Sequence, residues 1–372
     1  MSFFSYLLIG EKNMKLILFL LILLLPISVD AISAKSAIVM DQNSNRILYS
    51  NNINEKMLIA STTKIMTALI AINYGDLEKI VEVDEEVLKA YGSAIYIEVG
   101  EKIKLKDLLY GLMLRSGNDA AIVIAKEVAG SMEKFVYLMN QLAMDIGMKN
   151  TIFINNHGLE DDNGNGNLST AYDMAILMKY AMKNNTFKEI SGTKNYKVTT
   201  NYKTYSWTNK NKILHSNDFV TGGKTGYTMK ARRTLVTTAS KDNVDLVIVT
   251  LNDSNDFKDH ISLYNKYFEM YHAEKVLDKN NFYIENDYYD SKIKFIIKND
   301  YYALVKADEK EKIKIKYDIL KNKNVSSGEW IGTAKIYLGK ELLHEENIFV
   351  EINKSKNKTK KSLWEIIKGW FK

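Results

Sequence analysis

The chain has 372 residues, 46% of them hydrophobic, which is enough for more than one domain and a large core. It contains no cysteine, so disulfide staples and thiol chemistry are excluded. Its net charge of +6 resides in residues 353–372, which carry seven lysines and one glutamate; residues 1–352 are balanced, which excludes a body built to bind nucleic acid.

The chain opens with Lys12 and Lys15 followed by an apolar run from Leu16 to Ile27 and then Val29-Asp30-Ala31. A short basic start, an apolar stretch too short to span a bilayer comfortably and small or apolar residues at the cleavage positions predict a signal peptide over residues 1–31. Residues 35–50 alternate as a hairpin around a polar turn at Asp41–Asn45. Ile59–Ala71 carries an apolar stripe at helical spacing, as do Leu105–Leu114, Ala120–Val128, Phe135–Ile146 and Thr170–Met182. Residues 234–239 and 244–251 read as buried strands. Strands at both ends of a helical middle predict one layered α+β or α/β domain over residues 32–274. From 275 to 352, short alternating runs beginning with Phe282-Tyr-Ile284 and ending with Asn347–Ile352 predict a small all-β domain. Residues 353–372 read as a lysine-rich tether and an amphipathic helix. Leu363, Trp364, Ile367, Trp370 and Phe371 share its apolar face, and lysines flank it, as suits an anionic membrane surface.

Three short motifs stand in order: Ser61-Thr-Thr-Lys64, Ser116-Gly-Asn118 and Lys224-Thr-Gly226. Ser61 and Lys64 are three apart at a helix start, so they share a face. A serine hydroxyl needs a base to become a nucleophile, and a lysine serves only when its amine is neutral. Burial and a second cation both favour the neutral amine, and Lys224 is the candidate cation. Ser116 can relay a proton to a leaving amine, and Asn118 can hold a substrate amide. Lys224-Thr-Gly226 reads as a turn just before the strand at 234–239, where an edge could pair with a peptide. Lys224 and Thr225 would then meet its carboxylate, and Gly226 would permit close backbone approach. Two other features read as bland. Asp161-x-Asn-x-Asn165-Gly166 opens like a calcium loop but has Tyr172 where a glutamate is needed, and His157 has no second histidine at ligand spacing. No metal or cofactor is expected.

These motifs resemble those of the serine-type D-alanyl-D-alanine carboxypeptidases, the low-molecular-mass penicillin-binding proteins. The likeness runs from about Ala34 to Tyr267. It includes Ile59–Ala68, Leu108–Ala121, His157-Gly-Leu159 with Ser169–Asp173, and Gly223–Thr228. It implies an α+β domain of the serine β-lactamase/transpeptidase type, an antiparallel sheet flanked by helices, followed by the β-domain and tail. It further implies an exported enzyme on the outer face of the cytoplasmic membrane that binds β-lactams and removes the terminal D-alanine from peptidoglycan stem peptides.

By the motif match, Ser61 is the nucleophile, Lys64 the general base and Ser116 the proton relay, while Asn118, Lys224, Thr225 and Gly226 bind substrate. The Ser61 amide and one near Tyr227 or Thr228 would form the oxyanion hole. The chain departs from the family pattern at Tyr227, where some members have histidine, at Ala231-Arg-Arg233, and at Asp259, near where an arginine is common. Arg232 or Arg233, or else Lys258, would then hold the substrate carboxylate. A β-lactamase and a non-catalytic wall-binding protein remain alternatives. Ser116-Gly-Asn118 in place of S-D-N, and the lack of an obvious E-x-x-L-N segment, count against the first.

Overall fold

Val244–Leu251 is almost wholly apolar, and a strand of that composition must be covered on both faces. It is the middle strand of a five-stranded antiparallel sheet in the computed structural model, which describes residues 32–352 except 291 and 323. The expected signal peptide and the basic tail lie outside the described residues. The strands are β1 (Ser36–Asp41), β2 (Ile47–Asn51), β3 (Val220–Thr228), β4 (Arg232–Lys241) and β5 (Val244–Leu251), in the order β2-β1-β5-β4-β3. Every neighbouring pair is antiparallel.

The period of two along the strands sorts the sheet's faces. Val236, Val247, Val249 and Leu251 join the main core with α1 (Lys64–Tyr74), α2 (Leu105–Tyr110), α3 (Asn118–Ala129), α4 (Met132–Asp145) and α5 (Ala171–Ala181). Two shorter helices follow, α6 (Asn185–Gly192) and α7 (Lys212–Ser216). Thr237 and Thr250 face the other way, where α8 (Asp256–Met270) buries Asp259, His260, Leu263, Tyr264 and Tyr267 at helical spacing. The His260 ring sits between the two threonines, with Nδ1 2.7 Å from Thr237 and Nε2 3.0 Å from Thr250. Burial holds it neutral, its pKa drawn down to about 3.

Helix α1 is buried on every side from Lys64 to Ala71, so it is the axis of the helical layer rather than a surface helix. Three local details differ from the sequence reading. The helix expected from Ile59 begins as a tight 3₁₀ turn over Ala60–Thr63. The helix expected over Leu105–Leu114 widens after Tyr110 into a π-turn, Gly111–Arg115, and stops at Ser116 in the left-handed region with φ 64°. Lys224-Thr-Gly226 is not a turn but the interior of β3, because pairing with β4 overrides the weak strand preference of its glycines. An additional hairpin, Asn195–Thr199 with Thr204–Thr208, stacks Tyr196 on Tyr110 at 3.6 Å.

The second domain begins at β6 (His272–Leu277), which pairs with β8 (Tyr301–Val305). Strands β7 (Ile293–Ile297), β9 (Ile313–Ile319), β10 (Trp330–Leu338) and β11 (Glu341–Ile352) form a sheet in the order β7-β11-β10-β9 over their own core of Phe295, Ile336, Ile348 and Val350. Phe282-Tyr-Ile284, expected as a strand, pairs with no described strand. Arg46, at the turn between β1 and β2, joins the domains. Its Nη1 donates to Glu309 at 3.0 Å and to the Leu304 carbonyl at 2.8 Å, and its Nη2 donates to Glu309 at 2.6 Å. A two-point guanidinium–carboxylate contact of this kind fixes orientation as well as distance.

Candidate active site

Ser61 stands on a strained turn. Ala60 before it has φ 46°, a left-handed conformation that a residue with a Cβ adopts at a cost of roughly 1–3 kcal/mol. The turn is pinned where the Ile59 carbonyl accepts Thr62 Oγ1 at 2.6 Å and Thr234 Oγ1 at 3.1 Å. Gly158 closes over it so tightly that a Cβ there would lie 1.9 Å from the Ala60 carbonyl oxygen.

Lys64 lies one helical turn beyond Ser61 and is wholly buried. Its Nζ is 3.1 Å from Ser61 Oγ, 2.7 Å from Asn118 Oδ1 and 2.7 Å from the His157 carbonyl oxygen. Two of these partners can only accept. A neutral amine has two N–H groups and one lone pair, so it satisfies both acceptors and turns its lone pair to the Ser61 hydroxyl. Burial, and then the charges of Lys224 and Lys210, hold the Lys64 amine well below the ordinary lysine range. Asn118 is oriented by its other end, Nδ2 donating to the Tyr91 carbonyl at 2.6 Å.

Ser116, set in its left-handed conformation by the end of the π-turn, accepts from Lys224 Nζ at 3.1 Å. Lys224 is 2% exposed and also donates to the Thr225 carbonyl at 2.7 Å. Burial, then Lys210, draws its pKa down to about 7. Among the described residues neither Lys64 nor Lys224 meets a carboxylate.

Strand β3 is the sheet's edge, so its outer backbone groups face away from any strand of the sheet. At Gly226 a Cβ would stand 3.0 Å from the Ser61 nitrogen and 3.1 Å from the Thr62 nitrogen, filling the space before those amides. That Cβ would also lie 2.4 Å from Thr234 Oγ1, so only glycine lets β3 pack this closely against the Ser61 turn. A groove of about 380 Å³ runs past it, lined by Ser61, Ser116, Thr225, Gly226, Tyr227 and Arg233.

Two candidates point elsewhere. Thr228 is buried, its hydroxyl donating to Glu160 and accepting from the Ala231 amide. Arg232 is exposed, has φ 60° and does not line the groove. The groove also holds Ser93, Lys210, Lys212, Asp256 and Phe257, which the motifs do not reveal. The basic run Asn209-Lys-Asn-Lys212 was the one legible signal among them.

Known proteins match these features over most of the chain. The family model for D-alanyl-D-alanine carboxypeptidase matches residues 26–255, and that for the penicillin-binding protein 5 C-terminal domain matches residues 266–356. The D-alanyl-D-alanine carboxypeptidase DacF of Bacillus subtilis is 37% identical over 227 residues, covering 59% of this chain and 58% of that protein. DacC of Escherichia coli, with the same description, is 34% identical over 238 residues, covering 61% and 58%. The matched stretch therefore spans rather more than half the length of these curated relatives. The solved structure of penicillin-binding protein 5 from Haemophilus influenzae is similar at a TM-score of 0.71 and 26% identity, covering 87% of this chain and 97% of that one. An α+β domain with the three motifs around one groove, followed by the matching all-β domain, places this chain in the D-alanyl-D-alanine carboxypeptidase family.

Proposed function

We propose that this chain is a serine D-alanyl-D-alanine carboxypeptidase that removes the terminal D-alanine from peptidoglycan stem peptides and is acylated by penicillins at the same serine. The observation that carries this reading is the Lys64 amine, buried, paired with no carboxylate among the described residues and 3.1 Å from Ser61 Oγ. Names of family members and of the similar solved structure support the substrate class.

The substrate backbone pairs with the edge of β3, bringing its penultimate carbonyl carbon to Ser61. Lys64 takes the Ser61 proton as Oγ attacks, forming a tetrahedral adduct. The Ser61 amide and one from β3 beyond Gly226 stabilise its oxyanion. Ser116, backed by Lys224, passes its proton to the departing amine and takes the Lys64 proton in its place; the C–N bond breaks, D-alanine leaves and Lys64 is a free base again. Water, deprotonated in turn by the Lys64 amine, then hydrolyses the ester and restores Ser61. Thr225 and Arg233 take the terminal carboxylate. Arg233 is preferred over Arg232 because it lines the groove.

The same reading places the enzyme outside the cytoplasmic membrane, with residues 1–31 as export signal and 353–372 as a peripheral anchor on anionic lipid. Residues 32–274 are assigned the peptidase role and 275–352 that of a spacer. No helix among the described residues is long and apolar enough to cross a membrane.

Three outcomes test this proposal. Ser61→Ala should lower D-alanine release from a Lys-D-Ala-D-Ala peptide by about 10⁴-fold or more and abolish covalent penicillin labelling by intact mass. Labelling that persists would remove Ser61 from its role, and fast nitrocefin turnover by the wild type would favour a β-lactamase.

The rate of penicillin acylation should rise with pH as Lys64 loses its proton, at a pH well below an ordinary lysine's 10.5. Lys224→Ala removes a neighbouring positive charge, which stabilises protonated Lys64, so the ascending limb should move to higher pH. A limb that stays in place would separate the two lysines.

Deleting residues 354–372 should abolish binding to vesicles of anionic lipid while leaving D-alanine release unchanged. Undiminished vesicle binding would refute the anchor.

A further inference from the structure

Arg233 does not hang free at the groove. It lies on β4 directly opposite Tyr227 of β3. Its Nε and Nη2 both donate to Asp256 Oδ1, at 2.9 and 2.7 Å. The Phe257 ring lies beside the guanidinium, 5.3 Å from its carbon. The same Asp256 oxygen also accepts the Phe257 amide at 2.8 Å. The first turn of α8 thus grips the arginine by one edge and supports it on one face. The Arg233 side chain is still 43% exposed, while that of Asp256 is only 4% exposed. All three residues line the groove that contains Ser61. Arg233 Nη1 makes no hydrogen bond with any described residue.

This arrangement has a thermodynamic consequence. An unheld arginine gives up rotamer freedom when it engages a ligand. One already gripped by Asp256 and stacked on Phe257 has given up much of that freedom in folding, so it binds more tightly for the same contact. Asp256 also cancels most of Arg233's charge at a distance. The pair therefore attracts anions weakly from afar and discriminates through the direct hydrogen bond from Nη1.

We propose that Asp256 is a positioning residue that, with Phe257, fixes Arg233 as the selector for a free carboxylate at the end of the substrate peptide. The proposal rests on the carboxypeptidase reading and deepens it. The fixed guanidinium distinguishes a peptide ending in a carboxylate from the same peptide ending in an amide. It acts in binding rather than in the proton transfers at Ser61 and Lys64.

The test compares the full chain with its Asp256→Asn variant on a Lys-D-Ala-D-Ala peptide and on the same peptide amidated at its end. A positioning role predicts a KM for the carboxylate peptide raised about 5–10-fold with kcat nearly unchanged. The wild type's preference for carboxylate over amide should shrink by a similar factor. Asp256→Glu should recover part of the loss, and Phe257→Leu, which keeps the ion pair, should raise KM by a smaller factor.

If Asp256 served only to mute the groove's positive charge, Asp256→Asn would bind the carboxylate peptide more tightly, and a lowered KM would overturn the proposal. An unchanged carboxylate-to-amide preference would overturn it as well. Stoichiometric labelling of Ser61 by excess penicillin in each variant shows that fold and acylation chemistry persist. Absence of D-alanine release from the wild type would instead count against the carboxypeptidase reading itself.

Discussion

Two buried lysines, neither paired with a carboxylate among the described residues, are the constraint on which the rest of this structure depends. Taking an ammonium out of water costs several kcal/mol, and two of one sign repel each other as well. Burial and the neighbouring cations favour loss of the Lys64 proton. Its partners, an asparagine oxygen, a backbone carbonyl and a serine hydroxyl, are those a neutral amine can satisfy in full. Lys224 keeps Ser116 and a carbonyl as partners, and its depressed pKa of about 7 awaits an incoming carboxylate that would push it back up. The pair is therefore electrostatically incomplete, which suits the anionic end of the proposed peptide substrate.

Holding such a centre requires rigidity from elsewhere in the fold. Helix α1 is enclosed on all sides, so Lys64 cannot swing out to water. Left-handed turns at Ala60 and Ser116 place the two serines and are locked by the close approach of Gly158 and by the π-turn. The edge of β3 supplies the third wall, kept in register by eight paired positions on β4. On the far face of the sheet, the neutral His260 ties α8 to β4 and β5, and α8 in turn brings Asp256 to Arg233. The surroundings of Ser61 and of Arg233 are thus set by different layers.

How much of this could be read from the sequence depended on whether the information is local. Ser61, Lys64, Ser116, Asn118 and Lys224 were legible because each stands in a short motif of fixed spacing, and the structure brings all five together. Four of the five strands of the main sheet and the main helices were legible from the apolar pattern, as in the nearly continuous apolar run Val244–Leu251. Lys224-Thr-Gly226 reads as a turn because its strand identity comes from pairing with β4. The His157 carbonyl could not be foreseen, since a backbone acceptor leaves no mark on residue type. Nor could Arg233 be told from Arg232 before strand register put one into the groove and left the other at the bend. The Arg233–Asp256 pair joins a strand to a helix 23 residues away, a pairing that only the tertiary fold defines.

The central claim is that Lys64 is a neutral amine in the resting enzyme. The most direct measurement is a titration of the lysine side chains by nuclear magnetic resonance on uniformly labelled protein, with the Lys64 signal assigned by its absence in Lys64→Arg. The account predicts a Lys64 side-chain resonance that titrates well below the ordinary 10.5, from the burial and the neighbouring cations that surround it. A Lys64 resonance that titrates with the surface lysines would contradict it, and the base that activates Ser61 would have to be sought elsewhere.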